Sequence, residues 1–255
     1  MKKVLTLALV LAMCLCGCAN DGDDPDVTGT ATGSAGVTET ADKEPSGPAE
    51  KGAYPVKSIA YNSHGNVLYS IEYEHDANGN VVKMTNFDPN GKEASRSDRE
   101  FDSDGNEVKL SLYSGDKLIE YEETKYDGKA KVEKIAYDSD GNVKSTTKYE
   151  VDSDGNVVKE TVYNHVGEID YLFETKYDEN GKESERTQVD KDGGVIIRNV
   201  TEYNSDGDVV KLTQYYGDGS LFGYFEYEYD ANGNLTKMVE HEGDAEIGMT
   251  IVYEY

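Results

Sequence analysis

A turn that returns at fixed spacing constrains this chain more than any other feature. Glycines in an Asp/Asn-x-x-Gly setting fall at Gly65, Gly79, Gly91, Gly105, Gly141, Gly155, Gly167, Gly181, Gly207 and Gly233. Gly193 and Gly219 keep the spacing, and the steps alternate 14 and 12, so the period is 26. A constant period marks a repeat architecture, in which one supersecondary unit recurs and buries its face against its neighbours. Here the unit is a hairpin. Asp76-Ala77-Asn78-Gly79, Asp102-Ser103-Asp104-Gly105 and Asp230-Ala231-Asn232-Gly233 place Asp first and Gly fourth. That is a type I turn signature, the carboxylate capping the backbone and Gly accepting a positive φ. Asp88-Pro89-Asn90-Gly91 adds Pro where its fixed φ fits.

Between turns lie runs of about eight residues rich in Val, Tyr, Thr, Phe and Ile, which read as strands. None has the length or spacing of a helix. Turns from Gly65 to Gly243 number 15 and predict an all-β antiparallel meander of about 16 strands. From Gly105 to Gly155 two periods span 50 residues instead of 52, and Tyr113-Ser114-Gly115 is the expected site of that shortening.

Alternation along each strand assigns the faces. Ile71, Tyr73 and His75 stand on one face and Glu72 and Glu74 on the other; Phe225, Tyr227 and Tyr229 against Glu226 and Glu228 repeat the pattern. Lys recurs four residues after the turn glycine, at Lys83, Lys109, Lys159, Lys211 and Lys237. A four-residue loop would set Lys83 opposite Glu72 and Lys237 opposite Glu226, each pair contributing about 0.2–1 kcal/mol. One face is therefore aromatic and aliphatic, the other charged. Right-handed twist lets such a meander curl its aromatic face inward. The pattern leaves closure of the curled sheet open. A lipid-spanning barrel needs an apolar outer band, and segments such as Gly181-Lys182-Glu183-Ser184-Glu185-Arg186 supply none.

The N-terminal region is different in kind. Met1-Lys2-Lys3 and the apolar run Val4 to Leu15 have the lengths of a secretory signal's positive and hydrophobic parts. Leu15-Cys16-Gly17-Cys18 resembles the lipobox of bacterial lipoproteins. That resemblance implies removal of residues 1–17, lipidation of Cys18 and attachment to the bacterial cell envelope, with the domain outside the cytoplasm. Several acyl chains anchor stably where one is marginal. With Cys14, Cys16 and Cys18 all in this region, no disulfide, thiol nucleophile or Cys-based metal site is expected in the mature chain. Residues 18–53 are Asp, Gly, Thr, Ser, Ala, Glu and Pro without apolar periodicity, the composition of a disordered tether. The repeat domain then runs from 54 to 255.

Within it, Tyr177-Asp178-Glu179-Asn180-Gly181, Tyr137-Asp138-Ser139-Asp140-Gly141 and Tyr229-Asp230-Ala231-Asn232-Gly233 resemble the YD repeats of the RHS family. The resemblance implies a curled or spiral sheet of β-hairpins, which in large toxins forms a hollow shell around a cargo. Here the repeats are fewer, and Asn or Lys usually follows the turn glycine where that family has Arg.

Chemistry is sparse. A net charge of -26 excludes ordinary phosphate-backbone binding, so no nucleic-acid partner is expected. His64, His75, His165 and His241 sit in or beside different turns, and no phosphate loop or nucleophile elbow is present. No catalytic residue, metal site or cofactor is expected. Asp102-Ser103-Asp104-Gly105-Asn106 starts like a calcium loop, but Gly displaces the third acid and Tyr113 stands where an EF-hand has Glu. Tyr171, Tyr224 and the pair Tyr215-Tyr216 lie away from the hairpin-closing turns and are the candidate ligand-binding residues, since Tyr joins apolar area to a polar tip. The expectation is a non-enzymatic surface module for glycan or protein contact. A carboxylate-dependent glycoside hydrolase and a calcium-dependent adhesin are the alternatives.

Overall fold

The computed structural model describes residues 52–243 and 246–255. The lipobox, Cys18 and the tether lie outside them. The described residues form sixteen strands: β1 (Lys57–Asn62), β2 (Val67–His75), β3 (Val81–Phe87), β4 (Glu93–Phe101), β5 (Glu107–Ser114) and β6 (Lys117–Asp127). There follow β7 (Ala130–Asp138), β8 (Val143–Val151), β9 (Val157–Asn164), β10 (Ile169–Tyr177) and β11 (Glu183–Asp190). β12 (Val195–Tyr203), β13 (Val209–Tyr216), β14 (Leu221–Tyr229), β15 (Leu235–Glu242) and β16 (Glu246–Glu254) complete the chain. Each strand pairs antiparallel with its sequence neighbours, and β1 pairs with β16, so the meander closes into a barrel. Closure removes both free edges of the sheet. In the seam, Ser58 faces Tyr253 and Ala60 faces Ile251.

The turns show why the repeat reads as it does. In the first complete unit Gly79 N–H donates to the Asp76 carbonyl at 3.0 Å, with Gly79 at φ 78°. Asp76 Oδ1 accepts from the backbone N–H of Asn78 (2.9 Å) and of Asn80 (2.8 Å), while Oδ2 accepts from Asn80 Nδ2 at 2.8 Å. Asp102 with Asn106 and Asp138 with Asn142 repeat the same set. This explains Asn in the position after the turn glycine: it is the third donor to the capping carboxylate.

The register corrects the expected ladder. Lys83 faces Glu74, not Glu72, and Lys237 faces Glu228, not Glu226. Two causes add together. Asp76 N–H donates to the Asn80 carbonyl, which leaves three loop residues instead of four. A β-bulge then inserts one extra residue, because His75 faces Val81 while Glu74 faces Lys83. The ion pairs form in the shifted register, at 2.7 Å for Lys83–Glu74 and 3.0 Å for Lys237–Glu228. The shortened period is also shared. Ser114 pairs with Lys117 and Asp127 with Ala130, so two adjacent hairpins, turning at Gly115 and Gly128, each lose one residue.

Strand alternation gives the barrel an inner and an outer face. Glu72, Glu74 and Glu228 are outward, with side chains 54%, 63% and 60% exposed. Ser58, Ala60, Ile71, Tyr73 and Ile251 are inward and buried. The Ser58 and Tyr73 hydroxyls hydrogen-bond at 2.8 Å across the β1–β2 pair.

Candidate functional site

The four tyrosines singled out from the sequence do not form one site. Tyr215 and Tyr224 lie on the outer face of β13 and β14, in the register that pairs Thr213 with Tyr224 and Tyr215 with Leu221. The Arg198 guanidinium lies 4.5 Å from the Tyr215 ring centroid, held from its other side by Glu185 at 3.1 Å. Tyr224 stacks on His241 with centroids 4.3 Å apart and planes 11° from parallel, and Lys211 Nζ lies 4.2 Å from the Tyr224 centroid. His241 is fixed in turn by Glu226 at 3.0 Å. Tyr216, at the end of β13, is 47% exposed and meets Phe222 edge-on at 5.1 Å. Tyr171 is elsewhere. It stands on the inner face of β10, edge-on to Phe173 at 5.6 Å, and burial raises its hydroxyl pKa.

The outer cluster is therefore Arg198, Tyr215, Lys211, Tyr224 and His241 on β12 to β15. Cation–aromatic contacts recur on this wall at Arg96–Tyr113 (4.2 Å) and Lys148–Tyr163 (5.4 Å). Such contacts contribute about 0.5–1 kcal/mol at exposed positions.

Sequence reasoning missed a second constellation, on the inner face. Arg186 pairs with Glu160 at 2.8 Å and lies over Phe173 at 4.0 Å, Arg99 pairs with Glu107 at 3.3 Å, and Lys134 pairs with Glu122 at 3.1 Å. Lys144 and Glu120 form a further ion pair. Burial raises the pKa of Glu107 and Glu183, opposed by Arg99 and Arg186 respectively, and raises that of the Tyr149 hydroxyl, helped by Glu160 and Glu122. The signal was available: Arg99 is in phase with inward Phe101 and Arg186 with inward Gln188. The β15, β16, β1 and β2 side of the interior is apolar instead, with Met238, Ile251, Ala60 and Ile71 buried. Arg99, Arg186 and Lys134 each have a carboxylate partner. The interior thus carries several paired charges on one side and buried apolar residues on the other, where the Ser58–Tyr73 hydroxyl pair and Glu240 also lie.

Among the described residues no group of three or more His, Cys, Asp or Glu side chains is placed to hold a metal ion. Asp102, the start of the calcium-like loop, and Asp152, which opens the matching Asp152-Ser153-Asp154-Gly155-Asn156, spend both carboxylate oxygens on their own turns.

An antiparallel barrel of sixteen strands is the class of fold that these elements define. The chain is similar to a porin-like protein from Bacteroides uniformis at 10% identity and TM-score 0.51, over 78% of this chain and 96% of that one. A porin-like protein from Bacteroides vulgatus matches at 10% identity and TM-score 0.36, over 80% and 99%. TcdB2-TccC3 matches at 15% identity and TM-score 0.35; 72% of this chain is covered but only 10% of that one. Residues 190–240 match the family model described as a protein of unknown function, DUF2963. No curated protein matches the chain.

Proposed function

We propose that this chain is an exported bacterial surface lipoprotein, anchored through Cys18, whose barrel is a non-enzymatic module for glycan or protein contact at the cell envelope. The observation that carries the binding role is the outer cluster on β12 to β15. There Tyr215 and Tyr224 are fixed by Arg198, Lys211 and His241. A preset array of aromatic edges, hydroxyls and cations suits sugar hydroxyls or a polar protein surface. The charged outer wall supports a barrel standing in water. A barrel spanning lipid needs an outward apolar band about 25 Å tall, whereas columns such as Glu74–Lys83 and Glu228–Lys237 occupy this wall.

Two experiments test the reading separately. Labelled palmitate should be incorporated by the wild-type chain and not by Cys18→Ser; equal labelling would remove the anchor. A glycan array and a defined pull-down should give binding that Tyr224→Ala weakens at least tenfold with the fold intact. Empty screens, together with a hydrolase activity abolished by one carboxylate substitution, would replace the binding module with an enzyme.

A further inference from the structure

The outer wall is graded from one end of the barrel to the other. Call the end where Tyr54 packs on His75 at 5.3 Å the entry rim, and the opposite end the far rim. Outward positions on odd-numbered strands run from charged to aromatic toward the far rim, as in Lys83-Thr85-Phe87, Lys109-Ser111-Tyr113, Lys159-Thr161-Tyr163 and Lys211-Thr213-Tyr215. There Tyr163 and Tyr215 face Ile169 and Leu221, the first residues of β10 and β14, Tyr113 faces Leu118, the second residue of β6, and Phe87 faces Glu93.

The two rims treat these strand starts differently. At the entry rim the tyrosines turn inward and cover them, Tyr177 bonding to the Val157 carbonyl and Tyr229 to that of Val209. At the far rim the strand starts are bare. Of the sixteen exposed large apolar or tyrosyl side chains among the described residues, eleven belong to far-rim hairpins. The densest arc covers three consecutive hairpins, from β9–β10 to β13–β14, and carries Val166, Ile169, Val195, Ile196, Tyr216 and Phe222, all 41–63% exposed. Monomeric proteins rarely expose contiguous apolar patches beyond a few hundred Å².

We propose that this far-rim belt is the contact surface for a second copy of the chain, packed side by side with the barrel axes parallel. The belt exists at one end only, so an antiparallel neighbour would press it against the Glu–Lys columns and bury charges away from water. Stacking far rim on far rim would bring like-charged turns together, among them Asp138, Asp140, Asp190 and Asp192. The same turns stand beyond the belt and would have to enter hydrocarbon before it, which disfavours a lipid surface. Parallel side-by-side packing puts belt on belt and leaves the turns in water. It is also isologous, the commonest symmetry of soluble dimers. Gly52 lies at the entry rim, its N–H donating to Asn234 Oδ1 at 3.3 Å, so the chain enters both barrels from the same end. Two chains held in one membrane surface would need that arrangement; only this clause rests on the proposed anchor.

The test uses residues 52–255, whose strands are all paired within the closed barrel and which lack Cys18, so its outcome is independent of lipidation. Sedimentation equilibrium should show a concentration-dependent dimer. Ile169→Lys/Ile196→Lys/Phe222→Lys should weaken dimerisation at least tenfold, and Val56→Lys/Val132→Lys/Val252→Lys, exposed apolar sites outside the belt, should leave it unchanged. Ile196→Lys alone serves if the triple variant loses its near-ultraviolet circular dichroism. A wild-type monomer up to about 1 mM would overturn the proposal, as would a belt variant that dimerises normally. Binding of a monomer to phosphatidylcholine vesicles, lost in the belt variant, would assign the belt to lipid instead.

Discussion

The hydroxyl of Tyr229, the last residue of β14, donates to the carbonyl oxygen of Val209, the first residue of β13, at 2.8 Å. Tyr126 to Glu107, Tyr177 to Val157, Tyr203 to Glu183 and Tyr255 to Leu235 make the same bond, at 2.6–3.0 Å. Tyr177 and Tyr229 thus close the rim while the Asp that follows each caps the turn, and Asn204 does the same after Tyr203. The ladder position at Val151 carries no hydroxyl, and Val151 is 39% exposed.

Removing one rung isolates its contribution. Tyr229→Phe keeps the ring and leaves the half-buried Val209 carbonyl without its donor. A loss of about 0.5–1.5 kcal/mol in urea denaturation is expected, and the loss should be similar for Tyr203→Phe. Tyr216→Phe, on an exposed ring outside the ladder, should change stability little.

Alkali should dismantle the same ladder. Burial pushes the hydroxyls of Tyr126, Tyr203, Tyr229 and Tyr255 up to about 12 from an ordinary 10.0. A raised folded pKa means that stability is fully present below the unfolded value and is lost as pH rises through the folded one. Tyrosinate absorbance should therefore appear cooperatively with loss of β-sheet circular dichroism as pH passes from 10 toward about 12. A gradual titration at constant circular dichroism would contradict this.

Acid acts through the turns. Hydrogen bonds from the following Asn and from turn amides hold Asp76, Asp102 and Asp138 below their ordinary 3.8, and backbone amides lead the same effect at Asp152 and Asp230. Depressed folded pKa values supply stability above the unfolded value, and it is lost as pH falls through the folded ones. Buried Glu107, Glu183 and Glu240 work in the opposite sense, but they are fewer than the depressed turn aspartates. The melting temperature should hold from pH 7 to about 5 and fall below about 4. Asn62, Asn164 and Asn204 cap the same turn through Oδ1. Asp152→Asn should accordingly keep the turn and reduce the acid sensitivity.

Gly155 separates backbone conformation from crowding. It sits at φ +87°, and a Cβ there would meet nothing within 4 Å. Gly155→Ala should cost about 1–2 kcal/mol through the left-handed conformation alone. Gly155→Asn should cost less, because Asn tolerates that region. Equal losses for the two variants would point to a packing role that the open space does not show.

What could be read from the residues was what local chemistry decides. The Asp-x-x-Gly turns, the strand number and the outward placement of Glu72 and Glu74 all follow from spacing and alternation. The partner of Lys83 did not, because loop length and a bulge each move the register by one residue and neither leaves a residue type of its own. Closure was not legible either: β1 and β16 join through backbone hydrogen bonds, and nothing in the side chains of Lys57–Asn62 distinguishes a seam from an edge. The tyrosine candidates separated for a similar reason. Two periods beyond Tyr171 lies Gly223, on the inner face, and Tyr224 is one residue out of phase and therefore faces outward. A single-residue change of phase reverses the face of a strand residue.

Closure of β1 on β16 positions everything else, and one cross-link tests it. Ile59 and Val252 face each other across the seam on the outer wall. With both replaced by Cys in residues 52–255, which contain no other cysteine, mild oxidation of the closed barrel should give a monomeric intramolecular disulfide nearly completely, at protein concentrations too low for exchange between chains. An open sheet would hold the two thiols about fifteen strand spacings of about 4.8 Å apart. It would yield free thiols or disulfide-linked chains instead, and that result would contradict the barrel.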